Sequence, residues 1–156
     1  MSTDPLNILL DEVRSSAFHP RTTILVAHGL LEFVVNTLVK LKCENSRRIL
    51  DDSRQYPHSV KCVILHEIQL LYDDELHLLD RFRKLRNDTV HEFHFTVSND
   101  RILAVRGDWP FRLPHEKPIN SEQTAQNLVT LCLSIIAQIW GHHLDDLSAV
   151  FKVPGS

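Results

Sequence analysis

Residues 21–43 read RTTILVAHGLLEFVVNTLVKLKC, and the reading of this stretch decides the fold. Ile24, Leu25, Val26, Leu30, Leu31, Phe33, Val34, Val35, Leu38, Val39 and Leu41 make it apolar nearly all round, with no Pro to interrupt it. A helix of that kind belongs at the centre of a bundle, buried on most sides. Its interior polar residues His28, Glu32, Asn36 and Lys40 are spaced by four, so they form one line along a single face.

On both sides of this segment the periodicity stays helical. Asp4-Pro5 supplies an N-cap and a Pro at the first helical position, and Leu6, Leu9, Leu10 and Val13 follow at helical spacing, which predicts a helix over 5–17. His19-Pro20 separates it from the central helix, because Pro drives the preceding residue out of the helical region. Residues 43–56 are polar and carry a short turn or helix before Pro57. A third main helix is expected over 57–71, with Val60, Val63, Ile64, Ile68 and Leu71 as its apolar stripe. A fourth is capped by Asp73 or Asp74 and repeats Leu78, Leu79, Phe82, Leu85, Thr89 and Phe93. Phe93, Phe95 and Val97 then alternate before Ser98-Asn99-Asp100 and Ile102-Leu103-Ala104-Val105, the pattern of a small β-hairpin. Gly107, Pro110, Pro114 and Pro118 mark a loop, and a last long helix over 121–150 is capped by Asn120 or Ser121. The expectation is a single all-α domain over 1–156, a bundle of about five main helices with a hairpin or long loop between the fourth and fifth and a flexible tail at 152–156.

Composition narrows the function classes. The chain has 156 residues, 43% apolar, and 17 Lys+Arg against 20 Asp+Glu leave a formal charge of -3. That is no general DNA-binding surface. Four Gly exclude a Gly-rich phosphate loop. Cys43, Cys62 and Cys132 are odd in number and far apart, so they read as reduced, mostly buried thiols and give neither a disulfide framework nor a zinc ribbon. Met1 to Pro5 carries no signal-peptide pattern. The apolar tract 128–140 falls short of the roughly 20 residues needed to cross a bilayer. A cytoplasmic protein without membrane contact or cofactor is expected. His91 with His94, and His142 with His143, have no third and fourth ligand at a recognisable spacing, so no metal site is expected either. The apolar surface of 21–43 and 121–150 is either absorbed at the bundle centre or shared with a second copy across a two-fold axis.

The run Arg86-Asn87-Asp88-Thr89-Val90-His91 carries the chemistry. An Arg, an amide residue and then a His at the end of an amphipathic helix resemble the signature of the HEPN superfamily of helical bundles. A second resemblance covers more of the chain. Arg21-Thr22-Thr23-Ile24 through Leu30-Leu31-Glu32, then Ser59-Val60-Lys61, then Leu85-Arg86-Asn87 and His91 are similar to the mannitol repressor family, with Val90 where that family has a small residue. The first resemblance implies metal-independent RNA cleavage at a composite site on a homodimer, in a toxin or defence setting. In it Arg86 is the phosphate clamp, Asn87 a supporting donor and His91 the proton-transfer group. The second implies a non-catalytic transcriptional regulator acting through protein contacts; an RNA substrate and an antitoxin partner go with the first resemblance, a regulatory protein partner with the second.

Residue types support either use. Imidazole titrates near neutral pH, and guanidinium grips phosphate oxygens. At about 100° per residue Asn87 and His91 are about 40° apart, whereas Arg86 is about 140° from His91. Arg86 and His91 therefore converge only by helix fraying, by a curled Arg side chain or with a symmetry mate. Glu32 is the expected ion-pair partner of Arg86, because an isolated carboxylate on an apolar helix is expensive. Arg81, Arg83, Lys84 and Arg86 form a basic run that either approaches phosphates or simply suits the C-terminal half of a helix whose N-terminal half carries Asp73, Asp74, Glu75 and Asp80. Trp109 and Phe111 either cover the motif or pack within their loop.

Overall fold

A computed structural model of the chain describes residues 4–151. Among these residues there are eight helices and no strand: α1 (Pro5–Ser15), α2 (Pro20–Lys42), α3 (Ser46–Asp51), α4 (His58–Glu67), α5 (Asp73–His91), α6 (Asn99–Arg106), α7 (Ser121–His142) and α8 (Leu144–Val150). The all-α class stands, and the count of main helices rises. The expected tail at 152–156 and the reading of Met1 to Thr3 lie outside the described residues.

The α2 helix is the axle. It packs against α1, α3, α4, α5, α7 and α8. Ile24, Ala27, His28, Leu31, Val34, Val35, Leu38 and Val39 recur every three or four residues and are buried. Each fully buried Leu or Ile contributes roughly 1.5–3 kcal/mol from water exclusion, so this face dominates the core. Three apolar residues escape: Leu25, Phe33 and Leu41 are 39%, 49% and 44% exposed. Of the two apolar helices, α7 is absorbed by the bundle through Leu128, Leu131, Cys132, Ile135, Ile136 and Ile139, whereas α2 is absorbed only in part. It is also α2, and not the 128–140 tract, that is long and apolar enough to cross a membrane by length and composition, with half of that window buried inside the bundle.

Side-chain caps start some of the helices, α1 and α7 among them. Asp4 accepts from the Leu6 backbone N–H at 3.1 Å, and Asn120 accepts from that of Gln123 at 2.9 Å. The start of α5 differs from expectation. Glu75, not Asp73 or Asp74, closes it by accepting the Tyr72 backbone N–H at 3.0 Å. The end of α4 comes early, at Glu67, because Gln69 takes a left-handed φ of 64° and Leu70 N–H then returns to the Leu65 carbonyl at 2.8 Å.

The expected hairpin is not there. Ser98 is a helix cap rather than a turn residue: its hydroxyl accepts from the Arg101 backbone N–H at 3.3 Å, and α6 follows. Ile102 and Val105, three apart, bury against α5 and α7, which a strand's alternation would not allow. Gly107 stops α6 with φ 56°, where Arg81 donates to the carbonyls of Val105 and Arg106 at 2.9 and 3.4 Å. Phe95 sits in extended chain between the guanidinium groups of Arg21 and Arg101, 5.8 and 5.1 Å from its ring. The last helix breaks at His143, which separates α7 from α8. Trp109 stacks on Phe111 and donates to the Asp74 carbonyl at 3.4 Å, so the Pro-rich loop packs at the start of α5 and leaves the Arg86 motif uncovered.

Candidate functional site

The polar line of α2 becomes one wall of a cleft. Helices α2, α4 and α5 meet around a hollow of about 290 Å³ lined by His28 and Glu32 from α2, His58, Ser59 and Lys61 from α4, and Arg83, Arg86 and Asn87 from α5, with the chain before α4 closing one side. The inner face of α4 is responsible. His58, Lys61, Cys62 and Leu65 are its buried residues, whereas Val63, from the expected apolar stripe, is 46% exposed. A count of apolar residues turns this helix the wrong way, because its core-facing positions are a His, a Lys and a Cys. The signal was present in two places: the i, i+3, i+4, i+7 spacing of those four residues, and the polar line across from them on α2.

The basic run on α5 divides by what each residue binds. Arg81 is spent on the end of α6. Arg83 and Lys84 both pair with Asp80, at 2.7 and 2.9 Å, and those bonds hold its carboxyl below the usual carboxylate range. Arg86, unlike Arg83 and Lys84, has no carboxylate partner among the described residues. It donates to Asn87 Oδ1 at 3.3 Å. Lys61, 5% exposed, is in the same position: its Nζ donates to Asn36 Oδ1 at 2.9 Å and has no ion pair. Two cations in one cleft are thus held by neutral amide oxygens. A buried ammonium without a counter-charge is costly, and an anion in the cleft would relieve that cost.

The expected Glu32–Arg86 ion pair does not form. Both side chains line the cleft, but Glu32 takes no ion pair among the described residues. The premise was a carboxylate enclosed by an apolar helix. In the fold α2 turns Glu32 toward the open cleft, where it is half-buried and water can solvate it. His91 is also placed differently from Arg86 and Asn87. It is the last residue of α5, exposed, and not among the residues that line the cleft. Within one chain the fold brings together Arg86, Asn87 and Glu32, and leaves His91 outside.

Two histidines that the motif does not include stand in the cleft instead. His28 and His58 are 6% and 8% exposed and meet edge to face with ring centres 4.9 Å apart. Burial pushes the His58 pKa down to about 3, with the neighbouring His28, Lys61, Arg83 and Arg86 adding to it. Burial lowers His28 too, against the pull of Glu32. Both imidazoles are therefore neutral at physiological pH, and His28 Nε2 and His58 Nδ1 are buried without a hydrogen-bond partner. Cys62, 3.6 Å from His58 Nε2, has its thiol pushed up to about 12 by burial, so it is no thiolate nucleophile. No cluster of three or more His, Cys, Asp or Glu among the described residues is arranged to hold a metal ion.

Comparison with known proteins returns no matching family model, no matching curated protein and no matching solved structure. The functional reading consequently rests on the cleft. What the arrangement can do chemically is bind an oxyanion: two cations without carboxylate partners, an amide from Asn87 and the Ser59 hydroxyl line a space of a few hundred Å³ that opens to solvent.

Proposed function

We propose that the chain is a HEPN-like, metal-independent endoribonuclease whose phosphate-holding half is this cleft. The observation that carries the reading is the pair of cations, Arg86 and Lys61, hydrogen-bonded only to amide oxygens at 3.3 and 2.9 Å. A phosphodiester brings the negative charge that they lack. Arg86 clamps the non-bridging oxygens and Asn87 donates to them. In the reaction the 2′-hydroxyl attacks the adjacent phosphorus, the bond from phosphorus to the 5′-oxygen breaks, and a 2′,3′-cyclic phosphate forms. The 2′-hydroxyl proton leaves to a base, and a proton is delivered to the 5′-oxygen; His91 is the proton-transfer group.

A homodimer completes the site. Since His91 stands outside its own chain's cleft, a second copy supplies it, and its neighbours Val90 and Phe93, 50% and 90% exposed, form an apolar rim suited to such a contact. Leu25, near the N-terminal end of α2 where Arg21 donates to the Glu92 carbonyl, is further exposed apolar surface for the same contact.

The test uses a single-stranded RNA oligonucleotide in excess EDTA. Arg86→Ala and His91→Ala chains are each expected to lose cleavage by about a hundredfold or more, and His91→Ala to keep its fold. Mixing the two inactive chains should restore about a quarter of the wild-type rate, because half of the dimers are mixed and each mixed dimer holds one intact composite site. Cleavage that survives His91→Ala, or that needs a divalent metal, contradicts the catalytic reading and leaves a regulator that works through protein contacts.

A further inference from the structure

Beside the cleft lies a second hollow of about 240 Å³ between α4 and α5. The two share a wall made of His58, Ser59 and Arg83. Their linings differ in kind. The cleft is polar, whereas the second hollow is walled largely by Cys62, Val63, Leu76 and Leu79, with His77 and Asp80 also in its lining. We propose that this apolar slot holds the nucleobase attached to the phosphate that the Arg86–Lys61 cleft binds, and so sets the base preference of the site. The inference rests on the phosphate-binding reading of the cleft.

Three observations carry it. A nucleotide is a charged group joined by a short sugar to a flat, largely apolar ring, and the two adjoining hollows have that same division. Next, His58 Nδ1 is buried in the shared wall without a partner. A neutral imidazole presents one donor and one acceptor in its ring plane, and leaving one of them unmade is costly. A base edge, which carries donors and acceptors in its own plane, satisfies that nitrogen once the ring turns to expose it to the slot, where an aliphatic side chain cannot. Finally, Arg83 is held by Asp80 through two bonds of 3.1 and 2.7 Å, which fix its guanidinium plane at the boundary between the hollows. A fixed guanidinium stacks on bases at little entropic cost.

Binding to the wild-type chain is measured by titration calorimetry and amide chemical-shift mapping, with adenosine 3′-monophosphate, uridine 3′-monophosphate, ribose 3-phosphate and inorganic phosphate as probes. At least one nucleotide is expected to bind about tenfold more tightly than ribose 3-phosphate, with shifts at α4 and the first half of α5 that ribose 3-phosphate does not cause. Val63→Trp, at a half-exposed position that tolerates bulk, should fill the slot, abolish the nucleotide preference and leave phosphate affinity unchanged. Equal affinity for nucleotides and ribose 3-phosphate, or a preference that survives Val63→Trp, overturns the slot while the cleft reading stands. No binding of any of the four probes overturns the cleft reading itself.

Discussion

At the first turn of α5, Glu75 is fully buried, and its carboxylate accepts the Tyr72 backbone N–H at 3.0 Å and His142 Nδ1 at 3.0 Å to both oxygens, with Gln138 Nε2 at 3.5 Å. Tyr72 stacks over the His142 ring at 4.5 Å. About three turns further along the same helix, Arg86 and Lys61 share a cleft with two imidazole nitrogens that have no partner. Both regions place ionisable groups inside a helical bundle. The Glu75 carboxylate is saturated by its own chain, although His143 Nε2 beside the His142 ring is buried without a partner; the second region leaves donors and charge unused. Saturated polar clusters tie helices together, here α5 to α7, and unsaturated ones that open to solvent are where a ligand finds its partners.

The largest expected effect separates the two regions by stability. Glu75→Ala strips the saturated cluster of its common acceptor and should cost about 3–5 kcal/mol in urea unfolding, because Tyr72 N–H and His142 are left without it. Arg86→Ala removes no carboxylate partner and should change stability by less than about 1 kcal/mol. Equal losses in the two variants would erase the distinction.

Acid should act through the unsaturated region. Unfolded His58 takes up a proton near its ordinary pKa of 6.5, and folded His58 only near about 3, so between those values the unfolded chain binds more protons. Stability is then full above pH 6.5 and falls as the pH drops, by about 1.4 kcal/mol per unit from His58 alone. His28 and His143, also pulled down by burial, add to the same slope. Urea unfolding from pH 7 to pH 4 measures it. His58→Asn should flatten the slope, and an unchanged slope would place the acid sensitivity elsewhere.

The smallest effect concerns Glu32, the one carboxylate among the residues that line the cleft. Glu32→Gln should leave stability within about 0.5 kcal/mol and tighten phosphate binding several-fold, since it removes like charge from an anion site. Weaker binding would mean that Glu32 orients the cations rather than opposing the ligand.

How much of this was legible in the sequence differs between the elements. The central helix was legible because Ile24, Leu31, Val35 and Leu38 repeat at a period that only a helix satisfies. Arg86 and Asn87 were legible as site residues from their types and position. The hairpin fails because Phe93, Phe95 and Val97 alternate as a strand does while the unbroken apolar run 102–105 carries no period of its own, and the Ser98 cap decides for a helix. His58 and Lys61 escape an apolar count because the buried face of α4 carries a His, a Lys and a Cys beside Leu65. The Glu32–Arg86 pair was over-read: the cost of a buried carboxylate was applied to a side chain that faces open space.

The account stands most directly on cleavage of a single-stranded RNA by the wild-type chain in excess EDTA, run beside the same oligonucleotide with 2′-deoxyribose at every position. The expected result is cleavage of the RNA alone, with 2′,3′-cyclic phosphate ends. Cleavage of the deoxy strand, or none of either strand by chain that is folded and binds phosphate, would contradict it.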